Sequence, residues 1–230
     1  MYNFGNGSTN TINGNYNITN GYKNTINGSN NTVNGNTNTI NSTGNSVVGS
    51  NNIIHESSSS VNLINGTNNE IIPASSYRSI ISGYQNKIVS GGGYNLAIGI
   101  SNNIHSRLGV ALGEGLEVEG YTGAQVVIGR YNVKDTYCQF IVGNGTSTGD
   151  RKNIFAVQRD GRATLGADPK HAFDAVTKQY ADTLVANLRT EFLKAGNLPT
   201  VTTANNGQFL QVVNGVWTAV TIPQAEGGSF

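Results

Sequence analysis

The sequence predicts a mainly β fold, in which the chain winds as a repeat-built β-roll or β-solenoid and assembles as a homotrimer. Three observations predict it: a seven-residue repeat near the N-terminus, a later series of strands that are apolar on both faces, and one amphipathic helix followed by a hairpin pattern. A short fixed period indicates coils that stack on their neighbours instead of enclosing one central core.

The seven-residue repeat runs from Asn10 to Asn52, with Ile or Val two positions after each unit's first Asn, except at Thr19. Strand alternation turns Ile26 inward and its neighbours outward, and Gly28 permits a corner. Two units therefore predict a coil of about 14 residues, with equivalent Asn side chains stacked as amide ladders.

The repeat persists in altered form after residue 60, as an apolar residue two positions before a Gly. In this motif the steps from Gly83 to Gly99, to Gly113 and to Gly129 are 16, 14 and 16 residues. Their strands are apolar on both faces, and such strands need cover on both sides. A single coil covers only one side, so we expect a closed homo-oligomer whose interface includes Ile98, Leu112 and Ile128.

Residues beyond the repeat predict two hairpins and one helix. A strand at 137–142 precedes a hairpin over 154–165, and Asn214-Gly215 joins strands at 208–213 and 216–220. The helix is predicted over 174–195, capped by Asp174 and ended by Gly196 with Pro199. Its apolar stripe comprises Phe173, Val176, Tyr180, Leu184, Leu188 and Phe192.

The stripe favours a short trimeric coiled coil with Val176, Tyr180, Leu184 and Leu188 at its interface; a helix packed on its own domain is the alternative. The predicted organisation has five segments: an Asn-rich β-roll (1–72), a β-roll with 14–16-residue coils (73–133), a β-hairpin connector (134–172), a helical neck (173–196) and a C-terminal β-hairpin module (197–230).

The composition argues against several classes of function. A formal net charge of +1 gives no reason to expect nucleic acid or an anionic membrane as a partner. No apolar run approaches the roughly 18 residues that span a bilayer. Cys138 is the only cysteine, which leaves no intrachain disulfide. The N-terminal residues lack the pattern of a secretory signal.

Few residues indicate catalysis, and we predict no enzyme activity, cofactor or metal. His55, His105 and His171 are scattered, and Cys138 has no partner placed by the sequence. The 143–149 loop lacks the Lys-Ser/Thr of a phosphate-binding loop. The one carboxylate cluster, Glu114, Glu117 and Glu119, is typical of a solvated corner, with a glycosidase pair as the alternative.

Tyrosines near the corners are the predicted receptor contacts. Several follow a Gly by one or two residues, which places them at corners facing outward. Exposed aromatic rings stack on sugars and concentrate binding energy, whereas packing across the trimer or covering adjacent coils is the structural alternative. The candidates are Tyr84, Tyr94, Tyr121 and Tyr131.

The chain resembles phage tail-fibre and receptor-binding proteins. The Asn24-Thr25-Ile26-Asn27-Gly28 and Leu96-Ala97-Ile98-Gly99 units resemble the β-roll heads of trimeric autotransporter adhesins, and 174–182 (DAVTKQYAD) resembles the neck of phage fibres. The 143–161 stretch resembles tail proteins of phages of Gram-positive bacteria, and 198–217 resembles terminal modules of phage structural proteins.

The resemblance implies a homotrimeric fibre that attaches a virion to a glycan or protein receptor on the host surface and contacts other tail, baseplate or capsid proteins. We expect synthesis in the host cytoplasm and action outside the cell. A phage head fibre, a bacterial trimeric adhesin and a glycan-cleaving spike are the alternatives. The sequence starts directly in repeats, whereas a typical fibre begins with a tail-docking domain.

Overall fold

The structure is a computed structural model of one chain. It describes residues 2–55, 61–72, 78–89, 93–120, 123–171, 174–195 and 202–221. The chain divides into two compact units, Met1–Ala167 and Asp168–Phe230. The first unit is a β-solenoid of about nine turns, which confirms the predicted fold class at this level.

Short strands dominate the described residues. In chain order they are β1 (Phe4–Ser8), β2 (Thr11–Ile12), β3 (Ile18–Tyr22), β4 (Thr25–Ile26), β5 (Thr32–Asn36), β6 (Thr39–Ile40), β7 (Ser46–Ser50), β8 (Ile53–Ile54), β9 (Leu63–Thr67), β10 (Glu70–Ile71), β11 (Ile80–Tyr84), β12 (Lys87–Ile88), β13 (Leu96–Ile100), β14 (Asn103–Ile104), β15 (Leu108–Glu114), β16 (Glu117–Val118), β17 (Ala124–Arg130), β18 (Cys138–Asn144), β19 (Asn153–Gln158), β20 (Ala163–Leu165), β21 (Gln208–Val213) and β22 (Val216–Thr221).

Each coil contributes one strand to each of two parallel sheets. The odd-numbered strands β1 to β17, followed by β18, form the wide sheet, and the even-numbered strands β2 to β16 form the narrow sheet. Gly21 pairs with Gly35 and Gly35 with Gly49, a step of 14 residues that confirms the predicted coil length. Later steps lengthen to 17 and 16 residues, as between Gly49, Gly66, Gly83 and Gly99.

The core lies between the two sheets and holds one inward side chain from most of their strands, which is apolar except at the buried Thr19. Ile26 of the narrow sheet and Val33 of the wide sheet are buried, as the alternation of the repeat predicts. The same inward positions continue through both sheets. Their buried members include Ile40, Val47, Ile54, Ile64, Ile71, Ile81, Ile88, Ala97, Ile104, Ala111, Val118, Val127 and Ile141.

Two asparagine ladders seal the corners between the sheets. In the first, Asn38 Oδ1 accepts the backbone N–H and the side-chain amide of Asn52, each at 3.0 Å, while Asn38 Nδ2 donates to the Gly49 carbonyl at 2.8 Å. Each net hydrogen bond contributes about 1 kcal/mol, and a buried partner left unpaired costs more. The first ladder comprises Asn10, Asn24, Asn38, Asn52, Asn69, Asn86 and Asn102, and the second comprises Asn3, Asn17, Asn31, Asn45 and Asn62.

A row of stacked glycines allows the coils to approach closely. At Gly35, φ is +145°, and a Cβ there would lie 1.8 Å from the Gly49 carbonyl oxygen. The same contact recurs along the wide sheet, so only Gly fits this position. The stacked glycine row comprises Gly7, Gly21, Gly35, Gly49, Gly66, Gly83, Gly99, Gly113, Gly129 and Gly143.

The first unit ends in an antiparallel extension of the wide sheet. Strand β18 still pairs in parallel with β17, and β19 and β20 then follow in antiparallel order. The Arg162 guanidinium pairs with Asp160 across the turn. The hairpin predicted over 154–165 is therefore confirmed, and the strand before it extends the repeat.

The second unit contains the helix α1 (Lys178–Ala195) and the antiparallel pair β21–β22. The predicted cap at Asp174 is wrong: Thr177 Oγ1 accepts the Tyr180 N–H at 3.0 Å, and Asp174 instead accepts the backbone N–H groups of Lys170 and His171. These two backbone groups engage the Asp174 carboxylate, and the helix begins at Lys178, four residues later than predicted. Residues 196–201, including Gly196 and Pro199, lie outside the described residues.

Asn214-Gly215 forms the predicted turn, with both residues at positive φ. The five-segment organisation stays a prediction, and the described coils of 1–72 and 73–133 share the same two sheets.

Candidate functional site

The outward face of the wide sheet carries an apolar ridge in its later coils. The ridge consists of Ile98, Leu112 and Ile128. Each comes directly before one glycine of the stacked row, and the three lie side by side on neighbouring parallel strands. Ile98 and Leu112 are 43% and 38% exposed, while the alternating Ala97 and Ala111 are buried in the core. Within the described residues of one chain, the ridge has no covering layer, although parallel sheets are ordinarily covered on both faces.

Preceding coils do not continue this ridge. The same register holds Asn20 and Asn34, which hydrogen-bond to each other at 3.4 Å, then Val48, which is 44% exposed, and then the polar Asn65 and Ser82. The continuous apolar ridge therefore begins at Ile98. Whether it forms a trimer interface stays a prediction.

The carboxylates at 114–119 lie on two sheets and are held by cations. Glu114 accepts hydrogen bonds from Arg130 Nε at 2.8 Å and from the Tyr131 hydroxyl at 3.0 Å. The Arg130 guanidinium, followed by Tyr131, holds the pKa of Glu114 below its ordinary value. Hydrogen bonding to Glu114 in turn raises the pKa of the Tyr131 hydroxyl.

Glu117 and Glu119 share one ammonium group. Lys134 Nζ lies 2.6 Å from Glu119 and 3.4 Å from Glu117, and Arg151 lies 3.5 Å from Glu117. The Glu119 hydrogen bond raises the pKa of Lys134. These contacts favour structural ion pairing over the unequal carboxyl pair that a glycosidase needs.

His105 lies beside the same two carboxylates, a proximity that sequence reasoning missed. One ligand atom each from His105, Glu117 and Glu119 fall within 4.8 Å of one another. Nitrogen and carboxylate oxygen are donors that Zn²⁺ accepts. Lys134 already supplies a positive charge to both carboxylates, so a metal would have to replace its ammonium group.

The predicted receptor tyrosines differ in their freedom to contact a ligand. Tyr84 is 43% exposed, and Tyr94 is 55% exposed with Arg78 over its ring at 5.9 Å. Tyr131 is half-buried, lies 5.8 Å from each of the Arg130 and Arg151 guanidinium groups, and covers Gly115. Its contacts favour a packing role. Tyr121 lies outside the described residues.

The helix exposes its apolar stripe. Val176 precedes the helix, and Tyr180, Leu184 and Leu188 follow on it; all four are at least 38% exposed. Phe192 is 73% exposed, and Phe173 lies outside the described residues. The stripe therefore has the predicted exposure for pairing with other helices, while the coiled coil itself stays a prediction.

The remaining candidate groups are engaged locally. Burial, followed by the hydrogen bond to Asp135, raises the pKa of the Cys138 thiol to about 11, so this thiol stays protonated at neutral pH. His55 pairs with Glu70 at 2.8 Å, and His171 lies 3.4 Å from Asp174.

Sequence reasoning also missed a crevice beside Cys138. It is formed by the corner that precedes β18 and by the end of β19 with its turn. Its two walls come from segments that lie more than 20 positions apart along the chain, so no local sequence motif predicts the crevice. The lining comprises Asp135, Tyr137, Gln158, Arg159, Asp160 and Arg162.

Among the described residues, no helix combines the length and apolar character that crossing a bilayer requires. Comparison of the sequence with protein-family models gives no match, and comparison with curated proteins gives none.

Proposed function

We propose that this chain is a structural fibre protein of a bacteriophage or phage-like particle, a trimeric tail fibre that mediates attachment to the host cell surface. The observation that carries the proposal is the apolar ridge on a parallel sheet, in which Ile98 and Leu112 are exposed and Ile128 is half-buried. Three copies packed around a common axis would cover three such ridges.

The helix supplies independent support for a trimer. Leu184 and Leu188 are 49% and 61% exposed on an 18-residue helix, and most of the stability of a protein helix comes from packing of its apolar face. The resemblance of residues 174–182 to phage-fibre necks supports the same assembly.

Attachment would depend on the regular spacing and the repetition of the outward side chains. A stack of coils holds its outward side chains at fixed spacings, and a trimer presents three equal copies of each surface. Weak individual contacts with a host receptor then add through multivalency. Tyr84 and Tyr94 are the exposed tyrosines that we propose as receptor contacts.

The first test is molar mass by light scattering on the full-length protein. We expect about three times 24.2 kDa. The double variant Ile98→Asn/Leu112→Asn gives late coils the polar ridge of the early coils and should lower the mass, whereas Asn20→Ser should leave it unchanged. A stable full-length monomer would contradict the trimer.

The second test locates the protein by immunogold labelling of purified particles and of the bacteria that carry the gene. Labelled tails would support the proposal. Labelled heads would indicate a head fibre, and labelled cell surfaces without particle labelling would indicate an adhesin; either result overturns the tail assignment.

A further inference from the structure

The crevice beside Cys138 is a formed cavity of about 360 Å³. This volume lies within the range of about 300–1,000 Å³ that is common for small-molecule sites. Its two walls are joined by the backbone, because the Arg159 N–H donates to the Tyr137 carbonyl at 2.9 Å. The Gln158 N–H also donates to the Arg162 carbonyl at 2.8 Å, which fixes the turn.

Two residues that line the crevice have unmet contacts among the described residues: the Tyr137 ring is uncovered, and Nε of the Arg159 side chain lacks a hydrogen bond. Tyr137 is 75% exposed. Arg159 Nε is buried yet has no hydrogen-bond partner within the part of the chain that the structure describes. A buried donor without a partner is costly, and the contact of the same guanidinium from Nη2 to the Ala124 carbonyl is long, at 3.4 Å.

The charges of the lining balance. It contains two guanidinium groups and two carboxylates, and Arg162 already pairs with Asp160 at 2.7 Å. Asp135 accepts the Tyr137 N–H at 2.8 Å and retains lone pairs for further donors. A set of donors and acceptors without net charge matches vicinal hydroxyl groups better than it matches an anion.

We propose that this crevice binds one neutral sugar unit of a host-surface glycan, with the Tyr137 ring against the sugar face and the Arg159 guanidinium turning to donate to a hydroxyl or amide oxygen. The proposal rests on the proposed attachment function and names its ligand class. It assigns binding to a surface separate from the sequence-predicted tyrosines, because Tyr84, Tyr94 and Tyr131 do not line the crevice.

The test is saturation-transfer NMR on the full-length protein with glucose, N-acetylglucosamine and glucuronate as separate probes. We expect transfer to a neutral sugar and a loss of affinity of about tenfold in Tyr137→Ala, a size expected for a stacking contact. Arg159→Met should weaken binding by a similar factor. Tyr84→Ala is the matched control and should bind the sugar as the wild type does.

Three results would overturn the proposal: transfer to neither neutral sugar, transfer to glucuronate alone, or unchanged binding in Tyr137→Ala. Circular dichroism of every variant checks that loss of binding does not reflect unfolding. Adhesion of the full-length protein to the cells that the particle infects is measured in parallel. Adhesion without sugar binding defeats the crevice alone, whereas absence of adhesion defeats the attachment function.

Discussion

The early coils, residues 2–55, and the late coils, residues 61–144, use one interior and two different exteriors. Both stack inward Ile or Val side chains, both contain asparagine ladders, and both share the stacked glycine row. Outside, one register of the narrow sheet differs between the two regions. It holds Thr11, Thr25, Thr39 and Ile53 in the early coils, and Glu70, Lys87, Asn103 and Glu117 in the late coils.

The outward register of the wide sheet also varies, from the polar Asn20 and Asn34 through Val48, Asn65 and Ser82 to the apolar Ile98 and Leu112. Since the interior stays constant, stacking does not dictate these outward residues. The comparison teaches that the repeat maintains the coil, while the outward positions of the late coils are free to serve assembly and binding. The predictions below test whether the interior is shared and the exterior is not.

The largest expected effect comes from the stacked glycine row. Gly35→Ala and Gly99→Ala each place a Cβ within 2 Å of a carbonyl oxygen at positive φ, so each should lower the free energy of unfolding by about 4 kcal/mol. Guanidinium unfolding followed by circular dichroism measures the loss. Gly161→Ala, whose Cβ would meet no atom within 4 Å, should cost only about 1–2 kcal/mol. A tolerated Gly99→Ala beside a damaging Gly35→Ala would break the idea of a shared interior.

The asparagine ladders should give the next largest effect. Asn38→Ala and its late-coil counterpart Asn86→Ala each remove several buried hydrogen bonds, so each should cost about 3 kcal/mol. The same unfolding measurement applies. Asn27→Ala is the control, since it removes only exposed side-chain bonds, one donated to Asn41 and one accepted from Asn13, and should change stability by less than about 0.5 kcal/mol. Equal losses at Asn27 and Asn38 would contradict the role of burial.

A gain of stability is expected at Thr19, the one exception in the early repeat. Its side chain points inward and is fully buried, and Oγ1 has no partner among the described residues. Thr19→Val should therefore raise the unfolding free energy by about 1 kcal/mol. Thr32→Val, at an exposed position of the adjacent strand, should have little effect. A thermal midpoint that falls in Thr19→Val would indicate an unrecognised hydrogen-bond partner.

The smallest expected effect is a pH dependence of stability that comes from the charged residues of the late narrow sheet. Burial alone would raise the pKa of Glu70, but hydrogen bonds from Lys87 and His55 outweigh it and lower that pKa below 4.5. A lowered pKa in the folded state means that this stabilisation is present above pH 4.5 and is lost as the pH falls through the lower value.

Urea midpoints from pH 6 to pH 3 should therefore show a component of less than about 1 kcal/mol that Glu70→Gln removes. Lys87→Met should remove most of the same component, because Lys87 is a partner of Glu70 at 2.9 Å. An acid-dependent loss that is identical in the wild type and Glu70→Gln would assign it to other carboxylates.

Much of the fold followed from periodicity. The inward Ile26 and Val33, the 14-residue coil, the amide ladders and both hairpins are local consequences of strand alternation and turn chemistry. The helix start was predicted wrongly because Asp174 and Thr177 are both good caps, and the local pairing of Asp174 with Lys170 and His171 decided between them.

The candidate surfaces were predictable only where they consist of one register position repeated in successive coils. The ridge residues Ile98 and Leu112 were predictable because the sequence of each strand shows that both of its faces are apolar. For Tyr131 the sequence offered packing as the alternative role, but it did not reveal the contact with Arg151, because that side chain approaches the ring from the loop after β18.

By itself the sequence determined which residues face the core, since a period of seven and a strand alternation of two fix inward and outward positions within each coil. Only the tertiary structure decided which outward residues meet. Stacking brings together residues 14 to 17 positions apart, and the final hairpin folds Arg159 back to the corner at Tyr137. That proximity arises from closure of the sheet extension, which depends on contacts between distant strands and leaves no local signal in the chain.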